Sequence, residues 1–60
     1  MADVFTTHEA LDLSAMIADV VDLYLIENEA IKENPKWLEL AENAHQALFD
    51  LYQAIGAEHL

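Results

Sequence analysis

The chain has no cysteine, one glycine, one proline and two cationic side chains in 60 residues. Without cysteine there is no disulfide and no thiolate metal site, so a short chain loses two of its usual stabilisers. With a single glycine there is no glycine-rich loop to cradle a phosphate. No apolar run exceeds four residues, as at Leu23–Ile26, far short of the ~20 needed to span a bilayer. No basic segment precedes an apolar one, so no secretory signal is expected. These absences lead us to expect a soluble, cytoplasmic protein.

Lys32 and Lys36 face twelve acids, and the formal net charge is -10. Binding to nucleic acid or to an anionic membrane needs basic surface, so neither is expected as a direct partner. A basic protein suits this field better. An acidic surface also keeps a small protein in solution with no further role.

What the chain does have is apolar content, at 55%, too rich for a disordered segment. Its pattern is helical. Thr6 and Glu9 stand at capping-box spacing, with Phe5 and Ala10 at the staple positions. From Thr7 to Lys32 no glycine or proline interrupts the pattern. Asn34-Pro35 then combines a good cap with a residue suited to the first helical position. Gly56 stands where a left-handed C-cap would fall, leaving residues 57–60 as a frayed tail. The expectation is one all-α domain over residues 1–60, with helices over about 7–32 and 35–55. The short connection makes an antiparallel hairpin; a single helix kinked at Pro35 is the alternative. Strand signals are weak, and Val20-Val21 lies inside the helical pattern.

Both helices are apolar over more than one partner can cover. On helix 1, Leu13, Met16, Ile17, Val20, Val21, Leu23, Tyr24 and Ile31 share an arc about 160° wide. Leu11, Leu25 and Ile26 spill beyond it, and Asp12, Asp19, Asp22 and Glu29 lie outside it. On helix 2, Trp37, Ala41, Ala44, Leu48, Leu51 and Ile55 step by fours and threes, a coiled-coil seam. Leu38, His45, Phe49 and Tyr52 widen it. Two such hairpins pairing into a homodimeric four-helix bundle would cover the excess. The expected core and dimer seam is Leu13, Ile17, Val20, Tyr24, Trp37, Ala41, Ala44, Leu48, Leu51 and Ile55. Docking on a different protein is the other way to cover it.

Candidate chemistry is sparse. Glu42-Asn43-Ala44-His45 has the Glu-x-x-His form, and Glu27 falls within the apolar arc of helix 1. In these residues the chain resembles half of a ferritin-like carboxylate site, which implies Glu27, Glu42 and His45 as metal ligands. Glu42 lies at the edge of its arc, and the trio sits near the loop, so an antiparallel dimer would separate the two halves. The competing reading makes His45 a half-buried core residue in contact with Glu27, Tyr24 or a carbonyl.

The stretch Asn34-Pro35-Lys36-Trp37-Leu38-Glu39-Leu40 is similar to the start of helix 2 in small hairpins that dephosphorylate response regulators. Here the motif positions read Ala41-Glu42-Asn43-Ala44-His45, so that activity is not implied. Ser14 and Thr7 lack a His–acid arrangement, and no catalytic residue or cofactor is expected.

The expected role is binding. The chain reads as a small acidic regulator or inhibitor, of the kind carried by phages and mobile elements. It would engage itself and a larger, preferably basic, protein. Spaced carboxylates on a rigid helix also suit imitation of a phosphate backbone. The expected contacts are Leu11, Asp22, Leu25, Ile26 and Glu29.

Overall fold

A computed structural model describes residues 3–59, with the side chain of His59 left out. The described residues are almost all helical and contain no strand. Helix α1 spans Val4–Val20, a π-helical segment spans Val21–Ile26, α2 spans Glu29–Glu33 and α3 spans Pro35–His59. Together they form an elongated hairpin of 42 × 17 × 15 Å.

The first helix starts earlier than Thr6 would place it. Asp3 is the cap: its side chain accepts the Thr6 N–H at 2.8 Å, and the Thr7 hydroxyl donates to the Asp3 carbonyl at 2.9 Å. Asp is as good a cap as Thr and satisfies the same orphan donors one turn sooner. Met1, Ala2 and Leu60, the last of the expected frayed tail, lie outside the described residues.

Helix 1 also does not run unbroken to Lys32. After Val20 the backbone widens into π geometry. It then leaves the helix at Asn28, whose φ of -67° and ψ of 132° are extended. Asn28 restarts the chain by accepting the Ala30 and Ile31 N–H groups at 2.9 and 3.2 Å. A local side-chain cap thus breaks the helix where neither Gly nor Pro stands. Asn34 repeats the device for α3, accepting from Lys36 and Trp37 at 3.2 and 3.1 Å, with Pro35 as the first helical residue.

Gly56 does not terminate α3. It has no positive φ, and the helix continues through Ala57 and Glu58 to His59. Its role is spatial: a Cβ there would lie 3.7 Å from Leu11 Cδ1. That approach, with the turn at the other end, shows α1 and α3 running antiparallel.

The hairpin closes on small side chains. Among the described residues only Leu11, Ser14, Ala18 and Ala41 are buried, and no large side chain is completely enclosed. Ser14 can sit there because its hydroxyl donates to the Ala10 carbonyl of its own helix at 2.7 Å, leaving no unpaired group. Small residues let two backbones approach, and this decides the packed row. On α1 it runs Thr7, Leu11, Ser14 and Ala18 and continues to Val21 of the π segment; on α3 it runs Leu38, Ala41, His45, Leu48 and Ile55, all buried or half-buried.

The expected helix 1 core is therefore turned outward. Leu13, Met16, Ile17, Val20, Leu23 and Tyr24 are all exposed, while Val21 and Ile31 are half-buried. The expected α3 seam divides: Ala41 is buried, Leu48 and Ile55 are half-buried, and Trp37, Ala44 and Leu51 are exposed. About half of Trp37 faces solvent.

Candidate functional site: a two-sided hairpin

The rows beside the packed row define the outer surface. Stepping one residue back gives Thr6, Ala10, Leu13, Ile17 and Val20 on the first helix, and Tyr24 of the π segment continues that row. The same step on α3 gives Trp37, Leu40, Ala44, Ala47 and Ala54, with Leu51 between the last two and Glu58 one turn beyond. Every one of these is exposed, and among them only Glu58, in the last turn, is charged. One residue turns ~100° around a helix. Because the helices are antiparallel, an equal backward step rotates both rows to the same side of the hairpin. That side is a continuous apolar face.

Stepping one residue forward rotates both rows to the opposite side. On α1 this gives His8, Asp12, Ala15 and Asp19, continued in the π segment by Asp22 and then Ile26. On α3 it gives Glu39, Glu42, Gln46, Phe49 and Gly56, with Gln53 between the last two. Five carboxylates thus share a side with no lysine. His8 Nε2 lies 3.7 Å from Asp12 Oδ2 here, and Gln46 donates to Asp50 at 2.8 Å beside it. Phe49 and Tyr52 stack with centroids 6.4 Å apart, placing aromatic surface next to the acids.

The free apolar face is large for a 60-residue chain. Leu13, Ile17, Val20, Tyr24, Trp37, Leu40 and Leu51 are 44, 45, 47, 73, 52, 59 and 48% exposed. For side chains of these sizes that is on the order of 700 Å², close to the ~800 Å² each partner contributes to a standard interface. It exceeds the apolar patches usual on monomers.

The expected contact residues separate. Asp22 and Ile26 lie in the row on the acidic side; Glu29 is exposed at the start of α2; Leu25 is 42% exposed in the π segment. Leu11 is withdrawn: at 6% exposure it packs inside the hairpin opposite Gly56.

The carboxylate–histidine trio does not converge. Glu27 is exposed and pairs with Lys32 at 3.2 Å, because the chain leaves the helix at this point and frees its side chain from the apolar arc. Glu42 is exposed, while His45 lies half-buried in the packed row. Among the described residues no group of three His, Cys, Asp or Glu side chains could hold a metal ion.

The most perturbed acid is the cap Asp3. The Thr6 backbone N–H it accepts holds its carboxyl below the ordinary range. No helix among the described residues is long and apolar enough to cross a membrane. Compared with protein-family models, with curated proteins and with solved structures, the chain matches none.

Proposed function

We propose that this chain is a small acidic protein–protein interaction module. Two hairpins pair through the apolar face into a homodimeric four-helix bundle, and the acidic sides engage a larger basic protein as a regulator or inhibitor. One observation carries the reading: one side of the hairpin is apolar along most of its length, while five carboxylates share the opposite side with no lysine.

Self-pairing follows from cost and charge. A hairpin whose buried side chains are Leu11, Ser14, Ala18 and Ala41 has little core of its own, and domains this small are marginal without added burial. A chain of charge -10 repels its copies, so a stable contact between them must leave the acids outside. The apolar face does this for every acid except Glu58 at its open end. The opposite sides of the bundle then present rows of carboxylates on rigid helices, which match a basic groove that ordinarily holds a phosphate backbone.

Two measurements test the reading. Light scattering with size exclusion gives the mass, and a monomer at micromolar concentration sinks the dimer. Affinity capture from the native cell, repeated with Asp12, Asp19 and Asp22 changed to Asn, tests the acidic side. A basic protein retained by the wild type, lost by the variant and displaced by duplex nucleic acid is the expected result. Equal retention by both proteins removes the acids from the contact.

A further inference from the structure

We infer that the second copy lies on the apolar face with its loop at the opposite end, related by a two-fold axis perpendicular to the helices. The inference rests on the self-pairing proposed above and fixes its orientation.

Side-chain size is graded along this face. Tyr24, Trp37 and Leu40 all lie toward the loop, whereas the apolar side chains nearest the open end are Ala10 and Ala54. Two faces can close by a two-fold axis in only two ways. With loops together, α3 of one copy lies on α1 of the other, and the aromatic ends meet: Trp37 and Leu40 face the Tyr24 end of the second copy. With loops apart, α3 lies antiparallel on the second copy's α3, and Trp37 meets the level of Ala54. Close packing favours large side chains over small ones across facing positions.

The area of the face supports a second copy as its occupant, since it comes close to one partner's share of a standard interface.

The absence of cysteine makes the test direct. Ala30→Cys on exposed α2 carries one spin label per copy, and a separate Glu58→Cys variant labels the open end. In the loops-apart bundle each variant gives a label-to-label distance on the order of the hairpin's length, 42 Å. In the loops-together bundle each distance falls to about 20 Å, the width of a bundle two helices across. Short distances in both variants overturn the orientation while leaving the self-pairing intact. No pair distance, together with a monomer mass, overturns the self-pairing itself and this inference with it.

Discussion

Placing a carboxylate at Leu51 separates a free hairpin from a paired one. Leu51 is 48% exposed in the hairpin, in the apolar row of α3. The part of the side chain that a second copy would cover is about 80 Å², or about 2 kcal/mol at the usual 25 cal/mol per Å². Two-fold symmetry counts the loss twice, so Leu51→Asp weakens the dimer by about 4 kcal/mol, near a thousandfold in Kd. Desolvating two new carboxylates adds to this. In a free hairpin the same change at a half-covered position costs ~1 kcal/mol or less. Gln53→Glu adds the same charge on the acidic side and serves as the control. Sedimentation equilibrium should show Leu51→Asp as a monomer where the wild type and Gln53→Glu are dimers. Equal dimer constants for Leu51→Asp and the wild type would refute the assignment of this face.

Other substitutions test the hairpin itself. Leu11→Ala empties the one large buried position and should cost about 2–4 kcal/mol, read as a lower Tm by thermal circular dichroism. Gly56→Ala should stabilise by about 0.5–1 kcal/mol, since the residue is helical and its added methyl meets Leu11 at an ordinary 3.7 Å; a loss would mean the helices are closer than described. Asn34→Ala removes the acceptor for two N–H groups and should cost about 1 kcal/mol, with faster amide exchange at Lys36 and Trp37. Asp3 titrates with a lowered pKa when folded. Its cap therefore contributes above the ordinary carboxylate range and fades as pH falls through the lowered folded value. Thr6 amide protection should follow that fall, and Asp3→Asn should remove its dependence on the Asp3 titration.

The metal-site reading shows why a helical wheel misled at one position. It placed Glu27 among Met16 and Val20 by assuming regular α geometry from Thr7 to Lys32. The π segment and the Asn28 cap break that phase, and Glu27 turns to Lys32 at the surface. The signal was present in the sequence: asparagine at position 28 can restart a helix as readily as at 34. Only the proline after Asn34 made the second break obvious.

By itself the sequence determined the helical class, the break at Asn34-Pro35, the antiparallel return, and an apolar arc too wide for one partner. These follow from local propensity and 3.6-residue periodicity, which need no knowledge of neighbours. Only the tertiary structure decided which row packs inside. On each helix two apolar rows lie about 100° apart, and periodicity treats them alike. The hairpin chose the rows holding Ser14, Ala18 and Ala41, because small side chains let the helices come close. That choice left Leu13, Ile17, Val20, Trp37, Leu40 and Leu51 on one outer face and put five of the carboxylates together on the other.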